Sequence, residues 1–202
     1  MSTALFSTRH ELGPLADEMF YQRWSPRSMV KTNISSDDLL KMIDAARWSP
    51  SCFNDQPWHF IFSTDDTFDQ FLGLLLEGNQ IWCKNASRIG FMLARKNFQH
   101  DGSPNRFSQF DAGAAWMSFV YQAYAMGYVM HGLGGIHKER VFDELHVDKN
   151  DFEVMCGLVI GKRDDVKKLP KEFQEREKPN TRKPLHEMYH LNSMKNDQKI
   201  KT

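Results

Sequence analysis

The segment from Asp111 to Gly127 constrains the fold of this chain more than any other part of the sequence. It has the length of a helix, ends at a glycine, and carries apolar or small residues on nearly every side. These residues are Ala112, Gly113, Ala115, Trp116, Phe119, Val120, Ala123 and Met126. A helix that is apolar all round must be covered all round. A chain of 202 residues offers limited cover, so we expect a central helix that a second subunit partly buries.

The composition excludes several classes of protein. Lysine plus arginine and aspartate plus glutamate both number 26, so zero net charge gives no long-range attraction to nucleic acid or an anionic membrane. No apolar run approaches the roughly 20 residues of a membrane span. Three scattered cysteines, and Arg9 and His10 where a signal peptide would be apolar, favour a reduced, cytoplasmic protein. The length fits one domain over residues 1–202, with the lysine-rich tail 195–202 expected to fray.

Local patterns predict one further helix and three strands. Ser35 is a suitable N-cap, and Pro50 ends the helix that would follow it. Strands are predicted over Trp58–Ser63, Arg88–Ala94 and Phe152–Gly161. Because helices and strands alternate along the chain, the fold class is α/β or α+β.

A compact basic motif precedes the helix predicted after Ser35. Its sequence is Arg23-Trp24-Ser25-Pro26-Arg27. Two guanidiniums and a hydroxyl within five residues could form an anion site, since arginine binds phosphate bidentately and stays charged. The alternative interpretation is a solvated basic turn.

A second polar motif occupies the loop from Ser49 to Trp58, between a helix and a strand. Its two prolines restrict the backbone, and Ser51, Asn54 and Gln56 present groups that could form hydrogen bonds with a flat heterocycle. The alternative is an ordinary well-built turn, although a turn alone does not need these three polar side chains.

Together these motifs resemble the FMN-dependent nitroreductase family. The resemblance rests on Arg-x-Ser-x-Arg followed, after a helix, by Pro-Ser-x-x-Asn-x-Gln-Pro-Trp. It continues through Asn79, the Asp111 helix, Gly134-Gly135 and Arg182-Lys-Pro-Leu, and therefore covers most of the chain. The family implies an α+β, three-layer fold in which helices flank a central, mostly antiparallel sheet, with a long central helix at a dimer interface.

The resemblance also implies an FMN site. Arg23 and Ser25 would hold the phosphate, with Arg182 as a later contributor. Arg27 would face the N1 and C2 carbonyl edge of the flavin, where a fixed cation makes reduction easier. Asn79 would form a hydrogen bond with the pyrimidine edge.

The remaining implied contacts concern flavin N5 and the partner subunit. Gly134 and Gly135 would bring a backbone N–H to N5, the atom that accepts hydride, because glycine lets backbone approach a ring closely. The neighbouring subunit of a homodimer would contribute Pro50, Ser51, Cys52 and Asn54.

The sequence departs from the family pattern at three positions. Trp82 stands where many relatives carry a basic residue, so Arg27 alone would supply charge near N1. Gly134 stands where some relatives have an acidic residue, and Cys52 where serine is common. Cys52 is interpreted as a small, partly buried residue, with a reactive thiol as the alternative.

A competing motif lies near the C-terminus, where His186 to His190 match the His-Glu-x-x-His pattern of zinc proteases. A catalytic zinc also needs a third protein ligand, and downstream only Asp197 could serve. The alternative is a surface helix that Pro184 opens. We favour this alternative and predict no metal.

The function that these observations favour is an FMN-dependent oxidoreductase. NAD(P)H would pass hydride to flavin N5, and a nitroaromatic, quinone or similar small electrophile would then take the electrons by ping-pong kinetics. Segment 96–109, a polar loop or lid, would select the acceptor. The alternatives are a non-catalytic FMN-binding or storage protein and a dedicated reductive dehalogenase or ring reductase. The absence of a nucleotide-binding fingerprint leaves NADH and NADPH both open.

Overall fold

A five-stranded antiparallel sheet organises residues 25–177 in the computed structural model. The strands are β1 (Met29–Val30), β2 (Trp58–Phe62), β3 (Arg88–Arg95), β4 (Val129–Leu133) and β5 (Phe152–Arg163). The long β5 lies between β3 and β4 and also pairs with β1 near its C-terminal end, and β2 pairs with β3. Every strand pairing within residues 6–194 is antiparallel, which confirms the predicted sheet type.

Helices cover both faces of this sheet. In chain order the helices are α1 (Ser7–His10), α2 (Glu18–Gln22), α3 (Ser36–Arg47), α4 (Phe68–Gly73), α5 (Glu77–Cys83), α6 (Ser108–Ala125), α7 (Lys138–Glu144) and α8 (Lys171–Gln174). Ile89 and Phe91 of β3 join a core with α4, α5 and α7. Met92 and Ala94 of the same strand join a second core with α3 and α6. The predicted α+β class and the three-layer arrangement are thereby confirmed.

The structure describes residues 6–194, so the predicted fraying of residues 195–202 lies outside the described residues. Contacts group the chain into two compact units. One unit comprises residues 25–177, and the other, here called the terminal unit, takes its described residues from 6–24 and 178–194. The single domain over residues 1–202 stays a prediction. Of the helices that the described residues form, none combines the length and hydropathy that crossing a bilayer requires.

The central helix α6 begins three residues earlier than predicted and ends just before Gly127. Gly127 adopts φ +73°, a left-handed conformation that lets the following N–H, of Tyr128, donate to Ala123 O at 2.9 Å. Phe119 is fully buried, but Phe107 and Phe110 are 53% and 80% exposed. Residues 6–194 therefore leave the N-terminal part of this apolar helix uncovered.

The other sequence-predicted elements form with small shifts at their ends. Ser35 caps α3, because its Oγ accepts a hydrogen bond from Asp38 N at 3.0 Å. The three predicted strands correspond to β2, β3 and β5 within two residues. Strand β4 was not predicted, since His131 and Gly132 break its apolar pattern. The short α5 was also missed because Gly78 is a poor helix former.

The predicted surface helix near His186 is wrong. Residues Leu185–Glu187 form a single 3₁₀ turn in the terminal unit, and no α-helix continues to His190. Most side chains here are exposed, so packing does not stabilise a longer helix. His186 and His190 therefore do not share a helical face as the zinc pattern requires. Within residues 6–194, no three His, Cys, Asp or Glu side chains are grouped to hold a metal.

The cap of α3 gives a first prediction. Ser35→Ala removes the acceptor for Asp38 N–H and should lower the free energy of unfolding by about 1 kcal/mol. Urea denaturation followed by circular dichroism measures this difference. Ser36→Ala, which changes the adjacent serine inside the first turn, is the matched control. An equal loss in both variants would contradict the assignment of the cap.

Candidate active site

The predicted site residues are divided between the two units. The terminal unit carries Arg23, Trp24 and Arg182. The larger unit carries Ser25, Arg27, Pro50, Ser51, Cys52, Asn54, Asn79, Gly134 and Gly135.

A buried carboxylate holds the backbone on either side of Arg27. Glu177, only 7% exposed, accepts hydrogen bonds from Arg27 N at 2.9 and 3.0 Å and from Ser28 N at 2.8 Å. The Ser28 hydroxyl donates to the carbonyl of Asp165 at 2.9 Å. Sequence reasoning missed Glu177, because its partners lie about 150 residues away and no local pattern connects them. The end of the predicted anion motif is therefore fixed by a distant acidic residue.

The side chain of Arg27 lies against an aromatic ring. Its Cζ is 5.8 Å from the centroid of Trp82, which is 1% exposed. Arg27 forms no ion pair with any carboxylate of residues 6–194. Burial strongly raises the pKa of the neighbouring Cys83 thiol, an effect that the Arg27 charge partly opposes. This arrangement leaves a cation that an anionic ligand could compensate.

His131 of β4 also packs against Trp82. Its ring centroid is 4.9 Å from that of Trp82, and its Nδ1 is 3.2 Å from Pro26 O. A carbonyl only accepts hydrogen bonds, so Nδ1 carries the proton. Burial, with a smaller contribution from the Arg27 charge, lowers the pKa of His131, although the carbonyl contacts raise it in part. The imidazole is thus neutral at neutral pH.

Asn79 and Gly135 are in direct contact. The Asn79 Nδ2 on α5 donates to Gly135 O at 2.9 Å. A Cβ at position 135 would lie 2.6 Å from that Nδ2, so only glycine allows this approach. Gly134 is exposed, and a Cβ there would meet no atom within 4 Å. The residues predicted for the pyrimidine edge and for N5 are therefore adjacent, and Gly134 presents its backbone to open space.

The loop from Pro50 to Gln56 has an unusual backbone. Phe53, Asn54 and Gln56 adopt φ values of +52°, +57° and +50°, which non-glycine residues seldom adopt. Gln56 N donates to Ser51 Oγ at 3.0 Å, and Cys52 N donates to the buried Asp111 carboxylate at 3.0 Å. Such conformations persist when the surroundings impose them, and they are concentrated at functional sites.

The same loop is joined to the predicted lid. Asp55, 7% exposed, accepts hydrogen bonds from Gln99 N at 2.9 Å and from Asn105 Nδ2 at 3.2 Å. The rings of Phe53 and Phe98 meet edge to face, with centroids 5.7 Å apart. Sequence reasoning assigned no role to Asp55, although a buried aspartate between polar segments links the loop with residues 97–105.

The terminal unit brings together arginines that were predicted to bind phosphate. Arg9, 5% exposed, donates to the carbonyls of Tyr21 at 2.7 Å, Arg23 at 3.0 Å and Asn180 at 2.7 Å. Burial, and then the charges of Arg182 and Arg23, lower the pKa of Arg9 to about 10. Arg9, which sequence reasoning missed, thus lies close to Arg23 and Arg182, the two arginines among the predicted phosphate ligands. Neighbouring positive charges of this kind favour binding of an anion.

Comparison with known proteins decides the family. The model of the nitroreductase family matches residues 21–81. A solved structure described as an oxidoreductase containing FMN is 38% identical, covers 91% of this chain and 94% of its own, and superposes with a TM-score of 0.86. The chain belongs to the nitroreductase family. This membership confirms the resemblance that the sequence motifs indicated.

Two further relatives are more distant. The CLA biosynthesis enone reductase of Lactiplantibacillus plantarum is 25% identical over 184 residues, which are 73% of this chain and 85% of that protein. A protein of Archaeoglobus fulgidus, whose name proposes NADH dehydrogenase or NAD(P)H nitroreductase activity, is 44% identical over 48 residues. That match covers 24% of this chain and 28% of the relative.

His131 gives a prediction about pH. Its pKa is lowered in the folded protein, so below about pH 6.5 the unfolded chain binds a proton that the folded chain does not. The free energy of unfolding should therefore fall as the pH decreases from 7 to 5.5, by at most about 1.4 kcal/mol per pH unit from this residue. Asparagine keeps a donor but does not titrate, so His131→Asn should reduce this dependence.

Urea denaturation at both pH values, with His186→Asn as the control for loss of an exposed imidazole, measures the effect. A pH dependence as steep in His131→Asn as in the wild type would contradict the burial of a neutral His131.

Proposed function

We propose that this protein is an FMN-dependent oxidoreductase that transfers hydride from NAD(P)H, through flavin N5, to a small electrophile. The enzyme class is that of the nitroreductase family. One observation in the structure supports the assignment of the cofactor site. The Arg27 guanidinium, which has no carboxylate partner among residues 6–194, lies beside α5, the helix from which Asn79 contacts Gly135.

The donor set suits the flavin ring. Arg27 would place positive charge at the N1 and C2 carbonyl edge, which becomes negative on reduction. Asn79 would bind the pyrimidine edge. Gly134, which is exposed and has open space beside its Cα, would let the backbone approach N5 together with Gly135.

The phosphate assignment uses residues of the terminal unit. Arg23 and Arg182 would bind the phosphate by charge-assisted hydrogen bonds, and Ser25 would add a hydroxyl. The closeness of Arg9 to both arginines supports this assignment, because a group of guanidiniums is stabilised by a bound anion. Trp24 belongs to the same segment.

Both half-reactions would use one pocket. Bound FMN would supply N5 as hydride acceptor and would then return the electron pair to the second substrate. The protein residues orient the substrates and stabilise charge, which explains why no catalytic acid–base residue is assigned. The acceptor would be a nitroaromatic, a quinone or a similar electrophile, and the enone reductase relative adds activated alkenes to this class.

The working unit would be a homodimer with FMN at the subunit interface. Trp48, Phe53 and Phe110 are 78%, 80% and 80% exposed, and exposed apolar surface that joins into a patch marks an interaction site. The loop that carries Phe53 also carries Pro50, Ser51, Cys52 and Asn54, the residues assigned to the partner's site. Burial of this surface against a second copy would complete both the cover of α6 and the pocket.

The cofactor assignment predicts that the protein purifies yellow and releases FMN, not FAD, on denaturation. Arg23→Ala should weaken FMN binding roughly tenfold or more, since a charge-assisted contact contributes about 1.5–3 kcal/mol. Arg27→Ala should mainly lower the flavin midpoint potential and slow reduction by NAD(P)H. Visible spectra, fluorescence titration and spectroelectrochemistry measure these quantities.

Several outcomes would contradict this proposal. A colourless protein that does not bind added FMN would refute the cofactor, and equal losses of affinity with an unchanged potential would refute the division between Arg23 and Arg27. A yellow protein that consumes no NAD(P)H with any acceptor would favour the non-catalytic storage protein.

The shared site predicts an FMN-loaded homodimer with ping-pong kinetics. A stable dimer of this kind buries about 2,000 Å² or more, so folding and association should be closely linked. Sedimentation at micromolar concentration gives the oligomeric state, and initial rates over a grid of both substrates give the mechanism. An active, FMN-loaded monomer would refute the shared site, whereas intersecting double-reciprocal lines would refute the shared pocket.

A further inference from the structure

The position of Trp82 suggests a role that its residue type alone does not reveal. The family resemblance implies a basic residue at this position, whereas here a buried indole faces the Arg27 guanidinium. Trp82 lies one turn after Asn79 on α5, so both side chains emerge on the same side of the helix. The substitution therefore removes one cation from the candidate site and places an aromatic face next to the cation that remains.

The surroundings of Trp82 hold the indole in place. The ring of His131 packs against it at a centroid distance of 4.9 Å, and His131 also donates to the carbonyl of Pro26, the residue before Arg27. The backbone N–H of Arg27 is bound by Glu177. The backbone of Arg27 is thus fixed by His131 and Glu177, and Trp82 provides the ring that the guanidinium faces.

The indole N–H does not explain why Trp82 is buried here. Trp82 Nε1 is inaccessible and has no hydrogen-bond partner among residues 6–194. A buried donor without a partner is unfavourable, and phenylalanine would fill much of the same space without that cost. The ring face toward Arg27 is the contact that a large aromatic system improves, since indole is the strongest cation–π partner.

We propose that Trp82 is a positioning residue for Arg27. Its ring, supported by His131, holds the guanidinium in the orientation in which Arg27 faces the flavin pyrimidine edge, so that Trp82 contributes to the flavin potential without touching the flavin. This inference rests on the proposed function of Arg27. It concerns the orientation of one cation, and the wider assignment of the enzyme does not depend on it.

The first test compares substitutions of Trp82 in the FMN-loaded protein. Trp82→Leu removes the ring and should weaken the preference for reduced over oxidised flavin by three- to tenfold, where tenfold corresponds to about 30 mV for a two-electron couple. Trp82→Phe keeps a ring face and should restore most of the potential. If Trp82→Leu does not fold, Trp82→Met provides the same comparison, because methionine fills irregular space without a ring face.

Phe68→Leu is the matched control. Phe68 is 5% exposed, and Lys31 Nζ lies 4.6 Å from its ring centroid, so this variant also removes a buried ring that faces a cation. The control should lose stability and leave the potential unchanged. An equal shift of potential in the Phe68 and Trp82 variants would overturn the proposal, because general loosening of the core would then explain both.

A double-mutant cycle tests whether Trp82 acts through Arg27. Arg27→Lys keeps the positive charge and removes the planar guanidinium that stacks on rings. In this background Trp82→Leu should change the ratio of reduced to oxidised affinity less than twofold. A full, additive effect in the Arg27→Lys background would show that Trp82 acts by another route and would overturn the proposal.

A measurement without flavin separates this inference from the proposed function. In the flavin-free protein the Arg27 side-chain protons should show an upfield ring-current shift that Trp82→Leu abolishes, and the Arg27→Lys spectrum assigns the signal. A wild type that shows this shift but binds no FMN would refute the proposed function and its consequence for the potential. A wild type that binds FMN, with shift and potential unchanged in Trp82→Leu, would refute the role of Trp82 alone.

Discussion

The burial of the sheet on both faces is the constraint on which the rest of the structure depends. Strand β5 pairs along both of its edges, because Ile160 lies opposite Arg88 of β3 and also opposite Met130 of β4. Its side chains alternate between two cores, with Val159 in one and Leu158 in the other. Helices must therefore cover both faces, and α5 lies in the layer opposite α6. Strand β4 ends at Leu133, and Gly134 follows it directly. The candidate site is a consequence of this layering.

The parts of the fold that the sequence predicted are those with strong local signals. Ser35 fits a cap whatever the tertiary structure, and the apolar β3 and β5 are recognisable because both faces of each strand are buried. Strand β4 was missed because two of its residues suit tertiary contacts and not a strand pattern. His131 packs against Trp82, and Gly132 leaves room for the Trp116 ring. The helix expected near His186 does not form. Local features favour it, but the exposed side chains provide no packing to stabilise it.

The candidate site also contains residues that local motifs reveal and residues that only the folded structure reveals. Arg27, Asn79 and Gly135 could be named because the sequence motifs resemble those of the family, and the structure brings Asn79 and Gly135 into contact. Glu177 and Arg9 could not be named, because they act on backbone groups and leave no motif of their own. A residue that binds a ligand is restricted in type, whereas a residue that holds a backbone segment needs only a suitable position after folding. Short motifs therefore reveal the former and miss the latter.

The backbone of the Pro50–Gln56 loop has a consequence for the transfer of this segment between proteins. Three of its residues keep positive φ although none is glycine, so the loop shape does not follow from local preference. Besides the Gln56–Ser51 bond within the loop, the Asp111 carboxylate and the bonds that Asp55 forms with residues 97–105 hold it from outside. A chimera that receives only this loop would have the loop sequence without the loop conformation. The smallest portable element is the loop together with the Asp111 turn of α6 and the 97–105 segment.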